Sequence, residues 1–241
     1  MNNKYLKVSV ALAIGLASLL SYTDKSQAQQ NPVTAIDIAL EPDNTMLEHA
    51  QTVNARLRSV FPKGFALDAT HHPHISMLQR YVRTADLDKV YAAVDSVLSS
   101  EKPAGWKLEA YKYYYIPWKD IGLAGIVVKP TPDLLNLQQK LIDAVAPFET
   151  KIGTAAAFVT TPEEPDINQP TIDYIEAFVP KATGKHFNPH VTVGIASQHY
   201  LKKMLAEPFD AFTFSAAGAS VYQLGNFGTA RKMLKAWEFK P

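Results

Sequence analysis

The 241-residue sequence contains no cysteine. Disulfides, cysteine nucleophiles and cysteine-ligated zinc are therefore excluded. It also lacks a charge excess, with 24 Lys and Arg against 23 Asp and Glu. Tight sequence-independent binding to long nucleic acid needs many Lys/Arg–phosphate pairs, and that class of partner is excluded as well. A small anionic ligand held by a few groups is not. The charge-free run from Val8 to Leu20 covers 13 residues, short of the roughly 20 that cross a bilayer as a helix. Lys4 and Lys7 precede it and Ser26-Gln27-Ala28 follows as a small-x-small site. This pattern predicts an export signal over 1–28, a periplasmic or secreted product, and no membrane association after cleavage. With no cysteine after the run, a lipid anchor there is excluded.

Cleavage after Ala28 removes three lysines and one aspartate and leaves 213 residues with a net charge of −1. A chain of that length buries a core without staples, and the expectation is one domain over 29–241, acting as a monomer. Val33–Leu40 reads as a strand, and Asp43 or Asn44 caps a helix to about Val60. A strand at His74–Val82, a helix at 84–98 and an aromatic strand at Leu108–Ile116 follow. A strand at Gly122–Lys129 and a helix capped by Thr131 come next. The segment 161–170 (TPEEPDINQP) holds three prolines and three acids and reads as a surface excursion, with a short helix near Ile172–Phe178. A strand at His190–Ala196, a helix at Gln198–Ala206 and strands near Phe212–Leu224 and Lys232–Phe239 complete the chain. Strands and helices mix without strict alternation, which is α+β.

An internal repeat runs through this order. Pro42 and Pro130, Met46 and Leu134, and Leu47 and Leu135 match at an offset of 88. Pro73-His74-Ile75-Ser76 and Pro189-His190-Val191-Thr192 match at 116, and the 28-residue difference falls in the excursion. A duplicated unit with two lobes, about 33–118 and 119–241, around a pseudo-two-fold axis is expected.

Of seven histidines, only His74 and His190 have a hydroxyl two places on, Ser76 and Thr192. Residues i and i+2 of a strand project from one face about 6.6 Å apart, so each motif presents an imidazole beside a hydroxyl. A two-fold axis brings the pairs together across a cleft. One neutral imidazole then takes a proton from an attacking oxygen and the other, charged, gives one to a leaving oxygen. The hydroxyls donate to phosphate oxygens, and neither a metal nor another cofactor is required.

The pair of H-x-[ST] tripeptides resembles the doubled signature of the 2H phosphoesterases, which include RNA 2′,3′-cyclic phosphodiesterases and 2′-5′ RNA ligase-like proteins. The second copy, Phe187-x-Pro189-His190-Val191-Thr192, is similar to the F-x-P-H-h-T form, h being apolar. The resemblance covers about 33–239. It implies a bilobal α+β fold, with two antiparallel-rich sheets flanking a central cleft and helices outside. It also implies metal-independent action on a 2′,3′-cyclic or related small cyclic phosphodiester, with His74 and His190 as acid and base and Ser76 and Thr192 as phosphate donors. Action on an RNA 3′ end or 2′–5′ linkage, and nucleotide binding without turnover, are the alternatives.

Other features are less specific. His71-His72-Pro73-His74 has no acid or cysteine at supporting spacing, and no metal site is expected; His71 and His72 read as rim residues. In the aromatic strand, Tyr113 and Tyr115 are the candidates to stack on a base, against Tyr114 on the other face, although packing on a helix explains such strands equally. Tyr222 holds the comparable place in the second unit. Arg80 shares the parity of His74 and Ser76 and either reaches a phosphate or ends the strand in solvent.

Overall fold

A computed structural model describes residues 32–162 and 164–240; the expected export signal, 1–28, lies outside them. The described residues form seven strands and five α-helices. In chain order these are β1 (Val33–Pro42), α1 (Asn44–Val60), β2 (Ile75–Arg83), α2 (Leu87–Glu101), β3 (Lys107–Trp118) and β4 (Ile121–Val128). Then come α3 (Pro132–Val145), α4 (Gln169–Ala182), β5 (His190–Ser197), α5 (Gln198–Leu205), β6 (Phe212–Leu224) and β7 (Ala230–Glu238). The class is α+β. Side chains cap the helices where the sequence offers them. Asp43 accepts from the Met46 amide at 3.4 Å and Thr131 from the Leu134 amide at 3.2 Å, each satisfying an amide that the first turn leaves open.

Every strand pairing is antiparallel, in the order β1-β2-β5-β4-β3-β6-β7, with β6 also paired to β1. The expected two sheets are thus one continuous network with two strand groups, β2-β1-β6-β7 and β5-β4-β3. Two links join the groups: the bridge Ile75–Val191, and the pairing of Phe212–Ser215 with Lys107–Ala110. The repeat is plain in the element order, β1-α1-β2-α2-β3 and β4-α3-β5-α5-β6, with α4 inserted in the second copy. The lobes nevertheless do not divide at 118/119. The last strand of each repeat pairs with the first strand of the other, β3 with β4 and β6 with β1.

Along β1 the even residues Ile36, Ile38 and Leu40 enter the main core beneath the helices. The odd residues Asp37, Ala39 and Glu41 face the opposite way, as period-2 alternation requires.

Each lobe has a β-bulge at the corresponding place. In β2, Met77 is the extra residue, because Ala39 pairs with Ser76 and Ile38 with Leu78. In β5 it is Val193, because Gly125 pairs with Thr192 and Ala124 with Gly194. A bulge takes backbone groups out of the ladder, and a helix amide answers each one. Gln138 of α3 donates to the Met77 carbonyl at 3.0 Å, and Asn54 of α1 donates to the Val193 carbonyl at 2.9 Å. Both amides are buried. Gly194 follows the second bulge at φ 145°, where a side chain is strained.

The excursion differs most from expectation. It forms a 14-residue helix, α4, about twice the expected length, with Pro170 in its first turn and Pro180 in its last. Asn168 caps it at 2.9 Å and also donates to Asn226 Oδ1 at 2.6 Å, fastening the excursion to the β6–β7 turn.

Asn54 also donates to the Phe65 carbonyl and accepts from the Leu67 amide. Replacement by Ala strands three polar groups, two of them buried, and Asn54→Ala should cost roughly 2–3 kcal/mol in urea denaturation. Glu48→Ala, on the exposed face of the same helix, should cost less than about 0.5 kcal/mol. Equal small effects would remove the bulge-anchoring role.

Candidate active site

The Ile75–Val191 bridge decides which side chains meet. Both residues are fully buried beneath the sheet. On an antiparallel ladder through this bridge, His74 falls opposite Thr192 and Ser76 opposite His190. Directly opposed residues have Cβ atoms about 4.5–5.5 Å apart. All four side chains open into one pocket of about 500 Å³.

The two imidazoles are anchored alike. His74 Nδ1 donates to the carbonyl of His72 at 2.6 Å, and His190 Nδ1 to the carbonyl of Asn188 at 2.8 Å. In both, a carbonyl two residues back fixes the ring and leaves Nε2 as the free nitrogen. Beyond Nε2 the likeness ends. His74 Nε2 lies 3.3 Å from Oδ2 of Asp37, a wholly buried carboxylate. His190 Nε2 lies 2.6 Å from the Tyr114 hydroxyl, and the two rings meet edge to face.

The charge states diverge accordingly. Burial opposes a proton on His74, but the hydrogen bond and field of Asp37 outweigh it, helped by the His72 carbonyl and Glu41. The His74 pKa stands above the ordinary histidine value. Burial pushes His190 down to about 4; the Asn188 carbonyl opposes this, while the charge on His74 adds to it.

Asp37 Oδ2 also accepts from Ser76 Oγ at 2.5 Å and from Gln79 Nε2 at 2.9 Å. The Ser76 proton is thus committed to Asp37, which corrects the expectation of two equivalent hydroxyls offered to a phosphate. Thr192 Oγ1 has no hydrogen-bond partner among the described residues.

The structure corrects the expected ligand contacts. Tyr113 packs edge to face on Phe209, and Tyr115 lies against Gly122 and Leu201 beneath α5, so neither lines the pocket. The opposite face of β3 does, through Tyr114, Ile116 and Trp118. Tyr114 crosses Gly125, where a Cβ would stand 2.6 Å from the ring. Tyr222 is 2% exposed and donates to Glu41 at 2.7 Å, which in turn lies 2.8 Å from His72 Nε2. It supports the loop before His74 rather than reaching a ligand. Arg80 is 6% exposed and paired with Glu149, because the Met77 bulge inverts strand parity and hands the pocket position to Gln79.

Helix α4 supplies one wall through Tyr174 and Phe178. The β6–β7 turn brings Phe227, 49% exposed at φ 58°, edge to face with Trp118. A bulky residue in that conformation is uncommon; here it holds a ring at the pocket mouth. Among the described residues, no group of three or more His, Asp or Glu is placed to hold a metal ion.

No protein-family model and no curated protein matches the sequence. Solved structures do resemble it. TT0787 of Thermus thermophilus shares 14% identity over 86% of this chain and 98% of that one, with a TM-score of 0.49. E. coli LigT complexed with 3′-AMP shares 12% over 87% and 99%, at 0.45. Kluyveromyces marxianus Usb1 shares 8% over 88% and 99%, at 0.36.

A hydroxyl donating to Nε2 favours the neutral imidazole. Tyr114→Phe should therefore raise the His190 midpoint above about 4 in a ¹⁵N NMR titration. An unmoved midpoint would leave burial and the charge on His74 as the causes.

Proposed function

We propose that this chain is an exported, metal-independent phosphoesterase of the 2H type that opens a 2′,3′-cyclic or related small cyclic phosphodiester. The observation that carries this reading is the pair of imidazoles, each with Nδ1 tied back to the main chain, that line one pocket. One Nε2 takes the proton of an attacking water, and the other returns a proton to the ester oxygen as its bond to phosphorus breaks. Thr192 supplies a hydroxyl for a non-bridging oxygen. Two such transfers at about 10²–10⁴ each account for much of the acceleration required.

The rest of the pocket favours a small ester with a planar substituent. Its volume suits a mononucleotide-sized ligand. Trp118 and Phe227 at the mouth offer faces for stacking, worth about 1–3 kcal/mol per base. A net charge of −1 after cleavage supports a small substrate over a long polyanion. Export rests on Lys4, Lys7, the run from Val8 to Leu20 and the site at Ser26-Gln27-Ala28.

The test is hydrolysis of 2′,3′-cyclic nucleotides in EDTA by the mature chain, recovered from outside the cytoplasm with Gln29 at its N-terminus. His74→Ala and His190→Ala should each lower kcat/KM by about 10²–10⁴. A requirement for a divalent ion, or full activity in either variant, would remove the mechanism. An uncleaved chain retained in the cytoplasm would remove export.

A further inference from the structure

The repeat makes the two halves of the site comparable position by position, and they differ at one place. Measured from the bulges, Asp37 opposite Gln79 in the first half corresponds to Leu123 opposite Ile195 in the second. A buried acid–amide pair therefore stands beside His74, and two aliphatic residues hold the corresponding places in the half that carries His190.

Proton bookkeeping gives this difference a consequence. His74 Nδ1 faces a carbonyl oxygen and must donate to it. Its Nε2 faces Asp37 Oδ2 at 3.3 Å, and that oxygen already accepts from Ser76 and Gln79. A carboxylate oxygen taking those donors is the acceptor, so Nε2 must carry a proton too. Both nitrogens protonated is the imidazolium. His190 Nδ1 likewise donates to a carbonyl, but its Nε2 meets a hydroxyl able to donate. With a donor at Nε2, the neutral ring is the form that fits.

We infer that Asp37 is a positioning residue that keeps His74 protonated, making His74 the general acid and His190 the general base. This rests on the phosphoesterase reading and deepens it. Water attacks phosphorus as its proton passes to His190 Nε2. The phosphorus–oxygen bond of the ring breaks, and the leaving oxygen takes the Nε2 proton of His74. One proton enters the protein and one leaves, so the balance closes with no further reactant. At 3.3 Å the Asp37 contact is at the long end for a hydrogen bond, which leaves this proton deliverable to the cleft.

The groups around His74 agree in sign. From β1 come Asp37 and Glu41, and from β6 the neutral Tyr222. His72 Nε2 lies 2.8 Å from Glu41. Across the pocket stand neutral His190 and Tyr114, with Tyr174 of α4 beyond and Lys181 and His186 at the rim.

The test pairs a ¹⁵N NMR titration of the histidines with the pH dependence of kcat/KM for a 2′,3′-cyclic nucleotide, in the intact mature chain and in Asp37→Asn. In the unaltered chain, His74 should titrate above His190. The rate should rise through the His190 midpoint, about 4, and fall only above the ordinary histidine range. An asparagine amide donates to Nε2 and favours the neutral ring. Asp37→Asn should then lower the His74 midpoint, draw the alkaline limb to lower pH and reduce kcat at pH 7.5 about 10²-fold with little change in KM. A His74 midpoint at or below that of His190 in the unaltered chain overturns the inference, and this reading needs no variant. So does an Asp37→Asn chain, folded by circular dichroism, whose His74 midpoint is unmoved. Absence of turnover in the unaltered chain counts against the phosphoesterase reading alone, because the titration still decides the role of Asp37.

Discussion

The site depends on two β-bulges, at Met77 and Val193, and on the buried amides that hold them. Each bulge sits one residue beyond the hydroxyl of a His-x-Ser/Thr unit. Before it, the histidine and hydroxyl look into the pocket; after it, strand parity is reversed. Gln138 and Asn54 stabilise the arrangement because an unpaired carbonyl under a sheet costs as much as a lost hydrogen bond. Both reach from the helix that follows the first strand of a repeat to the second strand of the other repeat. The helix layer thereby fixes the register of the cleft from outside.

Duplication provides two equivalent histidines, and catalysis by an acid and a base needs two inequivalent ones. The structure breaks the equivalence with few residues. Asp37 and Gln79 make one side acidic and hydrogen-bonded, while the aliphatic Leu123 and Ile195 take the corresponding places on the other. Gly125 clears space for the Tyr114 ring, whose hydroxyl then reaches His190. Burial lowers both imidazoles, and the hydrogen bond and charge of Asp37 reverse the shift at His74 alone.

Much of this was legible in the sequence. Periodicity located the strands and helices of both repeats, and the i+2 hydroxyl rule separated His74 and His190 from five other histidines. What escaped has identifiable causes. A bulge leaves no mark in an alternating run, so counting by twos pointed to Arg80 where Gln79 faces the pocket. The tyrosines of β3 alternate whichever face is inward, and only the docking of α5 puts Tyr113 and Tyr115 beneath it. The three prolines of 161–170 marked an excursion and hid the length of the helix beyond it, because Pro170 falls in a first turn where its missing amide costs nothing. Asp37 did leave a signal, as the lone acid in the apolar run Val33–Leu40. A charge there either disrupts a core or serves a partner, and the partner is His74.

The most direct measurement of the central claim is a crystal structure of the mature chain with a uridine–vanadate complex, which mimics the five-coordinate phosphorus of the ring-opening step. The vanadate should sit between His74 and His190, with each Nε2 within hydrogen-bond distance of an opposite apical oxygen, the Thr192 hydroxyl on an equatorial one, and the base against Trp118 and Phe227. Vanadate bound elsewhere, or touching only one of the two imidazoles, would contradict the account.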